Sequence, residues 1–148
     1  MAKQFYPSFK ADLQTALYDV LSGAYGFRVA LMKGGSFNVA HTVFNDLVMG
    51  TNELSVAGYV RKDLAGRTRA ASGNDSLFGA TTVNWAALTA GQTVTAVILG
   101  KYAAGDPDTA IELIYWDDGG TSPNELPWAT DGGGFDYDIS AGLWKVTS

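Results

Sequence analysis

His41 is the single imidazole of this 148-residue chain, which contains no cysteine. Thiolate catalysis, disulfides and cysteine zinc sites are therefore excluded, and any acid–base or metal chemistry would have to be built around one ring without a helical histidine partner. A lone histidine of this kind reads as a surface or satisfied polar group. The glycines at 132 to 134 lack the strand-to-helix setting of a phosphate loop, and no Gly-x-Ser-x-Gly elbow is present. Carboxylates are the other resource. Asp106, Asp108, Asp117, Asp118, Asp131, Asp136 and Asp138 crowd the C-terminal third among glycines, and irregular oxygen cages of that sort can hold calcium. No segment matches the twelve-residue calcium loop, however, and Asp also favours turns because its carboxylate bonds to nearby backbone N–H groups. The turn reading is preferred. Paired-carboxylate glycoside hydrolysis ranks lower, since it needs a long cleft. The expectation is a non-enzyme with no cofactor and no metal.

The distribution of charge is more informative than any motif. The first 104 residues carry nine bases and six acids, a net +3, whereas the remainder carries nine acids against Lys145, a net −8. Opposite potentials on one surface favour assembly with copies of the chain or with a tiled partner. The overall net charge of −5 argues against nucleic acid, because phosphate neutralisation needs clustered Lys and Arg. Arg61, Lys62, Arg67 and Arg69 form a basic, hairpin-like segment around Gly66 and are read as a docking surface, with a plain solvated hairpin as the equal alternative.

These residues must be carried by local elements. Phe9, Leu13, Ala16, Leu17, Val20 and Leu21 follow helical spacing, with Ser8 as N-cap and Gly23 past the end, predicting a helix over about 9–22. From Gly26 the period becomes two: Phe27, Val29 and Leu31 alternate with Arg28, Ala30 and Met32, predicting a half-buried strand. Thr42 to Val48 reads as a helical turn capped by Thr42, with Val43, Phe44 and Leu47 inward. Further strands are predicted at Gly58 to Leu64, Thr81 to Trp85, Thr93 to Tyr102, Ala110 to Trp116, Phe135 to Ile139 and Leu143 to Val146, the last two joined by Ala141-Gly142. Strands without intervening helices imply a mainly β chain, an antiparallel β-sandwich or jelly-roll-like barrel with one N-terminal helix, in a single domain over 1–148. Such a length can bury roughly two-thirds of the unfolded surface.

The connection from Asp117 to Gly134 is too long for a turn, and loops of this length usually carry a contact. Asp117, Asp118, Pro127 and Trp128 are therefore interface candidates, with Trp128 the exposed anchor. Trp85, Trp116 and Trp144 lie in predicted strands and read as core. Met1 to Gln4 lacks a basic stretch followed by an apolar one, and Val94 to Leu99 is too short to span a bilayer, so the chain is expected to be made in a cytoplasm without membrane contact. The sequon Asn74-Asp75-Ser76 reads as chance in that setting.

In order, Leu17-Tyr18-Asp19-Val20-Leu21-Ser22-Gly23, Phe27-Arg28-Val29-Ala30-Leu31, Gly58-Tyr59-Val60-Arg61 with Leu64, Val83-Asn84-Trp85, Val94 to Leu99, Leu113-Ile114-Tyr115-Trp116-Asp117 and a Pro- and Gly-containing loop before a final hairpin resemble a group of small tailed-bacteriophage virion proteins. These are capsid decoration (cement) and minor structural proteins. The resemblance covers most of the chain and implies a non-enzymatic β-rich protein located in the virion, present in many copies, whose partners are the major capsid protein and copies of itself, a trimer being one arrangement. The alternative is a head-fibre or tail-associated module that binds a carbohydrate or receptor, with Trp128 stacking on a sugar. A small hydrolase comes third.

Overall fold

The apolar–polar alternation expected after Gly26 has two apolar destinations instead of one. The protein is represented by a computed structural model that describes residues 3–6, 23–72, 75–121, 124–140 and 144–146. In it, strand β2 (Gly26–Met32) sends Phe27, Val29 and Leu31 into one buried cluster and Ala30 and Met32 into a second. The half-buried reading is thus corrected: both faces of β2 are covered, because the alternate positions Ala30 and Met32 are themselves apolar and a central strand has apolar neighbours on both sides. Only Arg28, near the strand's start, keeps a wet side chain.

β2 belongs to a five-stranded sheet of order β1-β9-β8-β2-β3, formed with β1 (Lys3–Phe5), β3 (Lys62–Asp63), β8 (Ala96–Tyr102) and β9 (Glu112–Asp117). Every strand pair among the described residues is antiparallel. The fold is mainly β and sandwich-like, as expected. A register shift at Leu99/Gly100 pairs Leu99 with Tyr115 and Gly100 with Leu113, leaving Ile114 as the extra residue of a β-bulge. The bulge explains why Ile114 and Tyr115, adjacent in sequence, both enter the first cluster while Leu113 and Trp116 enter the second. Gly100 also has a packing reason. A Cβ there would lie 2.3 Å from the Phe44 ring and 2.5 Å from Ile111, so the second cluster closes only over bare backbone.

The first cluster is closed opposite the sheet by short ribbons: β6 (Val83–Trp85) with β13 (Phe135–Tyr137), β7 (Thr93–Val94) with β12 (Trp128–Ala129), and the three-stranded β14-β5-β4, comprising β4 (Thr68–Ser72), β5 (Asp75–Gly79) and β14 (Trp144–Val146). Trp85 is its largest buried side chain, and the indole N–H donates to the Val60 carbonyl at 2.7 Å, so its polar atom is satisfied inside the core. The second cluster is covered by a 3₁₀ turn, Phe44–Leu47, and a single helical turn α1 (Met49–Asn52).

Several boundaries differ from the sequence expectation. The helix over about 9–22 lies outside the described residues. The turn at 42–48 forms, but Val43 is the N-cap; the polar cap comes from Asp46, whose Oδ2 accepts the N–H groups of Thr42 and Val43 at 2.8 and 3.1 Å. Of Gly58 to Leu64 only Lys62–Asp63 pairs as a strand. The run from Thr93 to Tyr102 is two strands: Thr95 donates its N–H and hydroxyl to the Met32 carbonyl, and the chain passes from the short ribbons to the five-stranded sheet. The final pair is not a hairpin, since β13 pairs with β6 and β14 with β5.

Candidate functional site

The basic segment around Gly66 is divided by the fold. Lys62 pairs into the five-stranded sheet and Arg69 into the β4–β5 ribbon, so the hairpin reading is corrected: the two arms bond to different partners, and Gly66, at φ 57°, turns the chain between sheets. Arg61 is not available for docking. Its guanidinium bonds both Asp108 oxygens, Nη2 to Oδ2 at 2.9 Å, and both Glu53 oxygens at 2.7 Å, and it lies 5.5 Å from the Phe44 ring centroid. The Asp108 partner and then the Glu53 partner hold Arg61 firmly charged, while the guanidinium draws the Asp108 carboxyl below its usual range. Glu53 is further tied by the Tyr59 hydroxyl at 2.7 Å, and that oxygen accepts the Leu31 N–H at 3.1 Å. Arg67, half-buried, donates to the Tyr25 carbonyl at 2.9 Å; Lys62 is half-buried and Arg69 exposed.

The long connection is structured. Within it lie β10 (Gly120–Thr121) paired with β11 (Asn124–Glu125), and then β12. Trp128 is half-buried against the first cluster, with its ring 5.2 Å from that of Phe135. The exposed-anchor reading is corrected: pairing of Trp128 with Val94 turns the indole toward its own core. Pro127, after a cis peptide bond, is exposed, and Asp118 is half-buried. Asp117 is fully buried and offers no surface. It accepts the Tyr137 hydroxyl at 2.7 Å and the Gly119 N–H at 2.9 Å.

The aspartates of the C-terminal third largely serve turns. Asp106 accepts the Ala103 N–H at 2.7 Å, Asp131 that of Gly133 at 2.8 Å and Asp138 that of Ser140 at 2.9 Å. Among the described residues, no group of three or more His, Asp or Glu side chains gathers as metal ligands would. His41 is partly buried in the turn before Thr42, and the nearby Asp46 carboxyl is held below its usual range by the N–H groups of Thr42 and Val43.

A concave site is present where the starts of β2 and β9 meet the end of β8. It has a volume of about 250 Å³ and is lined by Tyr25, Lys101, Tyr102, Asp106, Glu112 and two alanines. The same bulge that re-aims Ile114 sets Lys101 directly opposite Glu112. Tyr102 is a fixed wall. Its hydroxyl donates to Asp63 at 2.7 Å and the Arg28 guanidinium sits 4.0 Å from its ring centroid. The ring also occupies space that a side chain at Gly26 would need, a Cβ there lying 2.3 Å from it. Tyr25 forms the opposite, more exposed wall, with the Lys101 ammonium 4.3 Å from its ring centroid. Sequence reasoning passed over this groove because its residues are scattered along the chain and converge only through strand register. The adjacent Tyr25-Gly26, with small space-giving glycine beside an aromatic, was the signal that could have pointed to it.

No family model matches the chain, and no curated protein or solved structure matches it either.

Proposed function

We propose that the chain is a non-enzymatic structural protein of a tailed-bacteriophage particle, a capsid decoration (cement) protein that binds the major capsid lattice and further copies of itself. The observation that carries this reading is how the charged side chains are used. Arg61, Glu53, Asp108 and Asp117 tie the β scaffold together, and Arg67 and the exposed Arg69 lie where the chain passes from the five-stranded sheet into the β4–β5 ribbon. A rigid antiparallel scaffold with charge at its margin suits additive lattice binding, in which a modest contact is repeated over a shell. The resemblance of the residue order from Leu17 to Asp117 to that of small tailed-bacteriophage virion proteins supports placing the chain on a particle.

Two measurements test it. Quantitative mass spectrometry of purified particles should give hundreds of copies per particle, and a handful would favour the head-fibre or tail-associated module. Replacing Arg67 and Arg69 together by Glu should lower particle occupancy, and the deficit should shrink at high salt as the charges are screened. Unchanged occupancy at low salt would remove this segment from the interface.

A further inference from the structure

In the groove between Tyr25 and Tyr102, aromatic walls, a cation and carboxylates face a common space. Its chemistry restricts what it can hold. Phosphate or sulfate would meet two carboxylates, Asp106 and Glu112, and a simple cation would meet Lys101. A purely apolar ligand would strip water from the two carboxylates without replacing their hydrogen bonds. A hydroxyl both donates and accepts, so a ring carrying several hydroxyls can accept from an ammonium and donate to the two carboxylates together. The volume of about 250 Å³ lies just below that of drug-sized pockets, which begin at about 300 Å³, and therefore fits one ring. Much of the lining is preorganised: Tyr102 is clamped by Arg28 and Asp63, Asp106 is oriented by the Ala103 N–H, and the Tyr25 backbone is held by Arg67. The half-buried Glu112 carboxylate has no side-chain hydrogen bond or ion pair among the described residues, and its backbone is fixed by the bridge to Val43.

We infer that this groove is a binding site for a single neutral pyranose ring, with Glu112 and Asp106 accepting from ring hydroxyls, Lys101 donating to a ring oxygen, and the apolar face of the sugar set against the edge of Tyr25. The inference concerns the groove itself and holds wherever on a particle the chain is carried.

Titrations followed by 1H–15N chemical-shift changes of the intact protein, with glucose, galactose, mannose, N-acetylglucosamine and rhamnose as separate probes and inorganic phosphate and tetramethylammonium as comparators, test it. At least one sugar should bind saturably with Kd on the order of 1 mM, the range open to so small a ligand. Glu112→Gln and Tyr25→Ala should each weaken that binding about tenfold or more, and the remote Asp131→Asn should leave it unchanged. Far-UV circular dichroism would establish that each variant is folded, and Glu112→Gln, which keeps the side chain's shape, remains decisive should Tyr25→Ala not be. Absence of saturable binding by any of the sugars, preferential binding of phosphate or tetramethylammonium, or sugar binding that survives Glu112→Gln would overturn the inference.

Discussion

Arg61 and Asp108 lie 47 residues apart in sequence and meet in a two-bond ion pair above the ring of Phe44. The pair joins the basic first part of the chain to the acidic last third inside one molecule. It also forms a lid on the second apolar cluster, because Glu53, next to α1, holds the other side of the same guanidinium. Part of the charge segregation that suggested assembly is therefore neutralised within the fold.

Removing that guanidinium should leave two half-buried carboxylates facing each other. Arg61→Met is expected to lower the unfolding free energy by about 1 to 3 kcal/mol, as hydrogen bonds to charged groups are lost. Solvent reaches the site, which keeps the cost below that of a fully buried pair. Urea denaturation followed by circular dichroism measures it, and an unchanged midpoint would show that the lid contributes nothing.

The same pair predicts an acid response. Arg61 depresses the Asp108 carboxyl in the folded state, so its contribution is present above the unfolded value of about 3.9 and is lost as pH falls through the lower folded value. Stability of the wild-type protein should decline as pH is lowered below about 4, and the slope in that window should be shallower in Arg61→Met. Parallel slopes would assign the acid response to other carboxyls.

At the alkaline end the sign reverses. Burial raises the phenol pKa values of Tyr6, Tyr59, Tyr115 and Tyr137, so the unfolded chain ionises first and stability falls as pH rises above about 10. Ultraviolet titration should show these four phenols ionising only as the fold is lost. A single smooth transition at the ordinary value, with the fold intact, would contradict the buried placement.

The two tryptophans of the first cluster should differ in degree. Trp85→Ala is expected to cost about 3 to 5 kcal/mol, the range for full aromatic truncation, and the half-buried Trp128→Ala about 2 kcal/mol. Thermal melts of the isolated protein provide the comparison. If Trp128→Ala leaves the melting temperature unchanged, the indole does not support the core.

Gly100→Ala is the most pointed packing test. The added methyl would overlap Phe44 and Ile111, and overpacking of this kind costs about 1 to 3 kcal/mol. Gly50, with open space around its Cβ position, serves as the control, and equal effects at the two glycines would refute the close packing at Gly100.

The strand at Phe27 to Met32 was legible as a strand, though not its second buried face, because Ala30 and Met32 are apolar too; the turn around Phe44 and Leu47 was legible as well. The bulge at Ile114 was not: Leu113 to Trp116 are all apolar, so no period marks which residue is extra. Trp128 was misread because proline and glycine neighbours suggest a loose loop, while its pairing with Val94 is a long-range contact that local patterning does not encode. The turn role of the aspartates was legible from their own chemistry. The groove was not, since Tyr25, Tyr102 and Glu112 are brought together only by the antiparallel register of three strands.

Thr95 marks a point where one continuous stretch of backbone leaves the short ribbons and enters the five-stranded sheet. The two layers thus share a covalent seam in addition to a common core. One layer cannot peel away while the other stays intact without dragging β7 or β8 out of register, and partial opening is disfavoured relative to complete loss of structure. A protease acting within these two layers would find few half-open forms to cleave, so their resistance to digestion should follow global stability.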